Sequence, residues 1–230
     1  MNVLSGGAAA AVVKAVAPEF ERATGTRIDG TFNAVGVMRD ELLAGARCDL
    51  LILTKPLIAQ LIASGHVVAG SAQSLGLVKT GVAVPAGVPH PPIGNRDELA
   101  SALGNASAIY FPDPDRATAG IHFMNVLKAL GLDQQAASAL RRFPNGATAM
   151  GELARCGADA RAIGCTQITE INYTDGVELV GALPPEFELA TDYTLGICSN
   201  AERPEHARLL AQLLVGSASE EVRRRGGFAF

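Results

Sequence analysis

The chain of 230 residues carries 19 lysines and arginines against 23 aspartates and glutamates, so its formal net charge is −4. This balance argues against non-specific nucleic-acid binding, which needs a strongly basic surface. Hydrophobic residues make up 48% of the sequence and aromatic residues 5%, without any tryptophan. The composition indicates a folded globular protein with little aromatic surface for stacking on bases or sugars. The length allows one large domain or two small ones.

Four cysteines, at positions 48, 156, 165 and 198, form no C-x-x-C pair, and no histidines have zinc spacing. We expect free thiols or small core residues, although the spacing leaves one disulfide open, and we expect no metal and no cofactor. The run Ala8–Ala17 is too short to span a bilayer, and Lys14 interrupts it. Because Met1 directly precedes an apolar strand, we expect the protein in the cytoplasm if Met1 is native. If a leader has been removed, we expect it in the periplasm.

The N-terminal part of the chain repeats a strand–turn–helix pattern three times. Its predicted turns are Ser5–Ala8, Asn33–Gly36 and Thr54–Pro56. The strand before the third turn, Asp49–Thr54, is a nearly continuous apolar run, which is typical of a central parallel strand. The turns therefore lie at the carboxyl edge of a parallel sheet, where such sheets bind ligands. The absence of G-x-G-x-x-G and of a Walker lysine argues against a nucleotide.

The stretch Ala108–Phe123 reads as a strand, a tight loop and the start of a helix. Proline cannot donate to a sheet ladder, so Pro112 ends the strand. Thr118 then opens a helix, where it either caps the first turn or offers its hydroxyl to a ligand. Free N–H groups and the positive end of the helix dipole favour an anion at such a turn.

The remaining segments allow only a coarse assignment of secondary structure. Ser74–Pro85 and Thr191–Cys198 are extended and are predicted to connect two lobes, and Phe143–Met150 is a second turn into a helix. Asp133–Leu140 is predicted to be a helix, and Arg223–Arg225 a solvated patch at a helix C-terminus. Other predicted elements are helices at Arg96–Leu103, Pro204–Leu214 and Ser219–Arg225, and strands at Ala162–Gln167 and Val177–Val180.

The order of these elements resembles that of the periplasmic solute-binding proteins of ABC transporters, in particular the molybdate-binding branch. The segments that carry the resemblance are Ala44–Thr54, Asp113–Ile121, Ile163–Thr166, Asp192–Ile197 and Arg223–Phe228. It implies a type II fold with two α/β lobes, each a mostly parallel sheet flanked by helices, joined by two hinge crossings. Residues 1–82 with 195–230 would form lobe 1 and residues 83–194 lobe 2, with the ligand in the cleft between them.

The sequence departs from this family at the ligand site. Ala8 and Val35 stand where the molybdate binders have serines, and Cys165 stands where they have a tyrosine, whereas Ala119 and Ala147 keep small backbone donors. Losing neutral hydrogen bonds at about 0.5–1.5 kcal/mol each weakens the binding of a tetrahedral oxyanion. The polar groups left to hold a ligand suit an organic di- or tricarboxylate, because cations pair with carboxylates. Together with these backbone positions, the candidate ligand-binding residues are Ser5, Gly7, Ala8, Asn33, Val35, Thr54, Arg116, Thr118, Ala119, Gly120, Asn145, Ala147, Thr148, Cys165 and Gln167.

Two functions fit this pattern. The first is a solute-binding or sensing protein that closes on a small anion, with an ABC permease as partner if the protein is exported. The second, by analogy of fold, is an isomerase that shifts an allylic proton in an unsaturated polycarboxylate, as aconitate isomerase does. That reaction needs a base near neutral pKa, for which His122 and Lys55 are the candidates. Neither function requires nucleic acid or membrane insertion.

Overall fold

The computed structural model describes residues 1–157 and 161–230. The chain forms two compact units: Met1–Val78 together with Thr191–Phe230, and Lys79–Ala190. The boundaries lie within the fourth strand and just after the start of the ninth. The domain boundaries predicted from the sequence, after residues 82 and 194, fall a few residues further along the same two strands.

The first unit alternates strands and helices. Its N-terminal segment contains β1 (Asn2–Gly6), a 3-10 turn (Gly7–Ala9), α1 (Ala10–Thr24), β2 (Asp29–Asn33), α2 (Val35–Leu43), β3 (Leu50–Thr54) and α3 (Lys55–Ala63). The start of β4 (Gln73–Pro85) also belongs to this unit. Helix α1 buries Val12, Val13, Val16 and Phe20 and ends at Gly25, whose φ of 65° suits glycine.

The sheet of the first unit explains where the predicted turns lie. Strand β1 pairs in parallel with β2 and with β3, so all three end at the same edge. Every residue of β3 is buried, as its apolar run predicts.

The second unit has the same alternation. It contains most of β4, then α4 (Arg96–Gly104), β5 (Ala108–Pro112), α5 (Thr118–Ala129), α6 (Leu132–Gln135), β6 (Leu140–Phe143), α7 (Gly146–Ala154), β7 (Ala162–Gln167), α8 (Ile168–Asn172) and β8 (Val177–Ala182). A 3-10 turn at Pro185–Phe187 follows. The last segment of the chain, which lies in the first unit apart from Ala190, contains β9 (Ala190–Ile197), α9 (Pro204–Val215), α10 (Ser217–Gly226) and β10 (Phe228–Ala229). Strand β9 runs antiparallel to β3.

In the second unit β5 pairs in parallel with β6 and β7, and β4 runs antiparallel to β7 and β8. The two faces of this sheet carry different helices. Ile163 and Cys165 of β7 pack in one core cluster with α5 residues such as Phe123. Ala162 packs on the opposite face with Met150 of α7. Because β5, β6 and β7 are parallel, α5, α7 and α8, which follow them, all begin at the same sheet edge.

Two elements differ from the sequence-based expectation. The segment expected to be a helix over 133–140 is a short α6 and a 3-10 turn, and the chain then forms strand β6, which pairs with β5. Arg223 is not solvated: it is 4% exposed, and its guanidinium donates to the carbonyls of Leu75, Val215 and Gly216. Arg224 does remain at the surface, paired with Glu220.

No helix in the described part of the chain is long and apolar enough to cross a membrane.

Candidate functional site

In the first unit, the predicted turns meet at the carboxyl end of β1. An added Cβ on Gly6 would lie 2.8 Å from the Val35 side chain and 3.1 Å from the Tyr193 ring. Val35 is therefore packed on the backbone of β1, which explains why this position carries an apolar side chain. Gly7 and Ala8 belong to the 3-10 turn that follows, and no side chain in the described part of the protein caps it.

Ser5, a predicted ligand residue, is fully buried in β1, and its hydroxyl donates to the Gly6 carbonyl at 2.9 Å. Asn33 accepts the N–H of Ala34 at 2.9 Å through its side-chain oxygen, at the start of α2. Both side chains thus make a local hydrogen bond that stabilises a strand end.

Thr54 is buried at the end of β3 and does not cap α3. Lys55 begins α3 with its side chain 72% exposed, and its Nζ lies 3.8 Å from Oδ2 of Asp192. The other carboxylate oxygen of Asp192 accepts the hydroxyls of Ser74 and Thr194, at 2.6 and 3.0 Å. Such an exposed ion pair contributes little to stability, so the ammonium of Lys55 is available to other anions.

In the second unit, the first turn of α5 is an open set of amide donors. Its N-cap residue is Ala117, so Thr118 lies inside the helix and does not cap it. Ala117 and Ile121 donate their N–H groups to backbone carbonyls, whereas the N–H groups of Thr118, Ala119 and Gly120 have no acceptor among the described residues. Three free amides at the positive end of a twelve-residue helix are a suitable environment for an anion.

The loop before α5 is held by Asp113. Its Oδ1 accepts the N–H groups of Asp115 and Arg116, at 2.7 and 3.1 Å. Arg116 itself is exposed at the surface of this loop. The hydrogen bonds to Asp113 fix the backbone that leads into the open turn.

The N-terminus of α7 differs from that of α5 because side chains of the protein accept its first amide groups. Asn145 accepts both the N–H and the hydroxyl of Thr148, at 2.9 Å each, so these two predicted ligand residues cap the helix together. The N–H of Ala147, the backbone donor implied by the family resemblance, is bound by the carboxyl group of Glu170.

Glu170 was not predicted from the sequence. Its carboxyl group accepts the Thr166 hydroxyl at 2.6 Å and also binds the backbone of Gln167 and Ala147. Burial raises the pKa of Glu170, and these hydrogen bonds offset the rise in part. The i, i+4 spacing of Thr166 and Glu170 is the only sequence signal for it, and a threonine followed by an acid at that spacing is common.

Cys165 and Gln167 lie on the α5 face of β7. Cys165 is part of the apolar core, and its burial raises the pKa of the thiol well above the ordinary range. A protonated, fully buried thiol is not a nucleophile, and Cys165 has no side-chain surface open to solvent. Gln167 is buried at the end of the strand, paired in register with Thr80 of β4.

Thr80 adds a polar group that the sequence did not reveal. Its side chain is 1% exposed, and its hydroxyl has no hydrogen-bond partner among the described residues. Because side chains alternate along a strand, Thr80 lies on the face of Val82 and Val84, which pack in the core cluster of α5. A buried hydroxyl without a hydrogen-bond partner is energetically costly, which makes Thr80 a candidate for a functional role.

His122 lies one turn into α5 and is half-buried. Its Nε2 is 2.7 Å from the carbonyl oxygen of Phe187. Since a carbonyl only accepts, Nε2 carries the hydrogen, and the lone pair of the neutral ring is on Nδ1.

All four cysteines are free thiols. Cys48 and Cys198 lie together in the first unit, and their hydrogen bond, with burial, raises the pKa of Cys198.

The chain is thus an α/β protein of two units, and helix N-termini that suit an anion lie at the edges of its sheets. Residues 1–229 match the family model of the bacterial extracellular solute-binding proteins, and the chain belongs to that family. It has the two-lobed fold of the periplasmic binding proteins, as the sequence predicted. The periplasmic molybdate-binding protein of Azotobacter vinelandii superposes with a TM-score of 0.81 at 16% identity, covering 100% of this chain and 99% of that one.

The chain is also similar to two other proteins. The sulfate-binding protein SubI of Mycobacterium tuberculosis H37Rv superposes with a TM-score of 0.74 at 14% identity, covering 99% of this chain and 85% of that one. A sequence relative is the aconitate isomerase of a Pseudomonas species, 27% identical over 220 residues, which cover 93% of this chain and 81% of the relative.

Proposed function

We propose that this protein binds a small di- or tricarboxylate anion at the open first turn of α5. The observation that carries the proposal is the set of three amides, from Thr118 to Gly120, that have no acceptor within the described chain. The hydroxyl of Thr118 lies on the same turn, and the unpartnered hydroxyl of Thr80 lies on the same face of the sheet. Together they supply the donors that a carboxylate needs.

A carboxylate fits these groups better than molybdate or sulfate does. Ala8, Val35 and Cys165 replace hydroxyl donors of the molybdate binders, and none of the three brings a polar side chain to a ligand. A tetrahedral dianion needs donors on all sides, because each unpaired charged oxygen that leaves water costs free energy. A carboxylate directs two oxygens to one side, which matches a single helix N-terminus.

A second candidate function is isomerisation of an unsaturated polycarboxylate, and the relative that favours it is the aconitate isomerase of Pseudomonas. In this reaction a base removes a proton from the methylene carbon next to the double bond. The electron pair then shifts the double bond by one position, and a proton returns to the former alkene carbon. The Nδ1 lone pair of His122, or the side-chain amine of Lys55 in its neutral form, is the base predicted for this step.

The two candidates imply different surroundings. An uptake receptor would be exported and would deliver its anion to a permease, in keeping with the extracellular description of the family. An isomerase needs no such partner. Turnover of aconitate would therefore favour the candidate that does not depend on export or on a permease.

The test is a thermal-shift panel with citrate, cis-aconitate, trans-aconitate, molybdate and sulfate, followed by NMR of the two aconitates after incubation. Ligand binding stabilises the folded protein by RT ln(1 + [L]/Kd), so the melting temperature rises with the logarithm of the ligand concentration once that concentration exceeds Kd. We expect stabilisation by at least one carboxylate and none by molybdate. Stabilisation by molybdate alone would overturn the carboxylate proposal, and carboxylate binding without interconversion would remove the isomerase candidate for these substrates.

A further inference from the structure

Two cysteines of the first unit lie side by side, just before β3 begins and just after β9 ends. The register of these antiparallel strands pairs Leu50 with Ile197, so the next residues outward are Asp49 and Cys198. The N–H of Cys198 donates to the carbonyl of Asp49 at 3.0 Å, which continues the pairing by one residue. Cys48 precedes Asp49, and its thiol is joined to the Cys198 thiol by a side-chain hydrogen bond. The two sulfur atoms are therefore already neighbours.

Asp49 fixes the backbone around both cysteines. Its side chain is buried, and Oδ2 accepts the N–H of Asn2 in β1 at 2.7 Å. Oδ1 accepts the N–H groups of Glu202 and Arg203, at 2.8 and 3.2 Å, in the connection that leads from β9 to α9. The segment before β3 and the segment after β9 are thus held against each other by hydrogen bonds on either side of the two thiols.

The other two cysteines have different surroundings. The sulfur of Cys156 donates to the hydroxyl of Tyr110 at 3.0 Å. Cys165 packs in the apolar core cluster of α5, in the second unit. A disulfide needs two sulfur atoms that can approach to bonding distance without moving the backbone far. The strand register provides that arrangement for Cys48 and Cys198.

Burial decides when this pair can react. Both side chains are buried, and the sulfur of Cys48 also donates to the carbonyl of Leu50 at 3.2 Å. The hydrogen bond with Cys48, together with burial, raises the pKa of the Cys198 thiol. Because the thiolate is the attacking species in thiol–disulfide exchange, the folded protein reacts slowly. An oxidant reaches the thiols more easily while the chain is still folding.

We propose that Cys48 and Cys198 form a disulfide when the chain folds under oxidising conditions, and that this bond links β3 to β9. The thiolate of one cysteine attacks a small-molecule disulfide such as oxidised glutathione, and one glutathione leaves as its thiolate. The thiolate of the other cysteine then attacks the mixed disulfide and releases the second glutathione. The two protein thiols lose two protons and two electrons, and the small disulfide is reduced to two thiols. The proposal is independent of the ligand-binding function.

The bond would close a long loop of the chain. The whole second unit, Lys79–Ala190, lies between the two cysteines in the sequence. A disulfide stabilises a protein mainly by restricting the unfolded chain, and the effect grows with the length of the closed loop. For a chain of this size, we expect the oxidised protein to melt about 5–10 °C above the reduced protein.

The test is refolding of the full chain from urea, in a glutathione redox buffer and in an excess of dithiothreitol. Alkylation followed by mass spectrometry counts the free thiols, and peptide mapping identifies the linked pair. After oxidising refolding we expect a peptide that joins Cys48 to Cys198, with Cys156 and Cys165 alkylated. After refolding in dithiothreitol all four cysteines should be alkylated. Thermal melts of the two products measure the change in melting temperature.

Serine variants separate this pair from the other thiols. Cys48→Ser and Cys198→Ser should each abolish the linked peptide and melt at the same temperature in both buffers. Cys156→Ser is the matched control: it removes a thiol outside the pair, and should keep the linked peptide and the difference in melting temperature. If a serine variant fails to fold, the peptide map and the melts of the wild-type protein carry the test.

The outcomes that overturn the proposal are equally direct. Four alkylated cysteines after oxidising refolding would show that the pair does not close, and a linked peptide that joins any other pair would show that the assignment is wrong. An oxidised protein that melts at or below the temperature of the reduced one would contradict the stabilising link between β3 and β9.

Discussion

The Cα of Gly120 lies against the main-chain carbonyl of Asp113, so that an added Cβ would come well under 3.0 Å from that oxygen and from the carbonyl of Pro112. The loop and the helix can approach this closely because glycine has no side chain. The contact places the first turn of α5, with its free amides, directly on the end of β5.

Gly120→Ala should therefore move the start of α5 away from the loop. We expect a loss of about 1–3 kcal/mol in the free energy of unfolding, as for other overpacked sites, together with weaker binding of the carboxylate found in the thermal-shift panel. Gly151→Ala in α7 is the matched control, because an added Cβ there meets nothing within 4 Å. It should stabilise the protein by up to about 1 kcal/mol. Equal effects of the two variants in urea unfolding would contradict the role of the contact.

Thr118→Pro removes one amide donor and a hydroxyl from the open turn while keeping the helix. Proline suits the first helical position, and Ala117 already has the extended backbone, with φ −98° and ψ 128°, that a following proline requires. A hydrogen bond to a charged group contributes about 1.5–3 kcal/mol, so calorimetry should show carboxylate affinity reduced at least tenfold. Thr118→Val keeps the amide donor, so its affinity for the carboxylate should fall less than that of Thr118→Pro. An unchanged Kd in Thr118→Pro would exclude this turn as the binding site.

The raised pKa of Glu170 makes a prediction about stability and pH. A carboxyl group whose pKa is higher in the folded protein than in the unfolded chain contributes stability below the unfolded value of about 4.3. That contribution is lost as the pH rises through the folded pKa. Glu170→Gln never ionises, so its stability relative to the wild type should increase from pH 4 to pH 7 in urea unfolding. Glu221→Gln, at an exposed position, controls for the loss of one charge; a difference independent of pH in Glu170→Gln would contradict the expectation.

Arg223 should be essential for stability. Arg223→Ala leaves the buried carbonyls of Leu75, Val215 and Gly216 without their donor, and each such loss costs about 1–3 kcal/mol. We expect urea unfolding to show a loss of about 3 kcal/mol or more. Arg208→Ala, at an exposed arginine paired with Glu205, should cost less than about 1 kcal/mol. Comparable losses of stability in the two variants would mean that the hydrogen bonds of Arg223 do not hold α10 in place.

The parts of the fold that the sequence predicted are those fixed by local pattern. The β3 run is apolar throughout, and Gly25 marks the end of α1, so these elements are confirmed close to their predicted bounds. Strand β6 could not be predicted in this way. Its sequence, Leu140 to Phe143, has two arginines in the middle, and it is a strand because β5 provides a parallel partner.

The candidate site shows the same limit. Local spacing correctly indicated turns at Thr118 and Asn145, but it could not tell an open turn from a closed one. The difference comes from Glu170, which reaches the Ala147 amide from another helix. Thr80 was missed for a similar reason, because only the sheet register brings it beside Gln167. For Arg223 the sequence predicted exposure where the structure shows burial. A run of three arginines resembles a solvated patch, but Arg223 donates to the carbonyl of Leu75 on a strand far away in the sequence.

The central claim is that this solute-binding fold takes a carboxylate at the first turn of α5. Its most direct measurement is calorimetric titration of the wild-type protein with citrate, trans-aconitate and molybdate under identical conditions. The account predicts saturable binding of a carboxylate and no heat from molybdate. Molybdate binding more tightly than either carboxylate would contradict it.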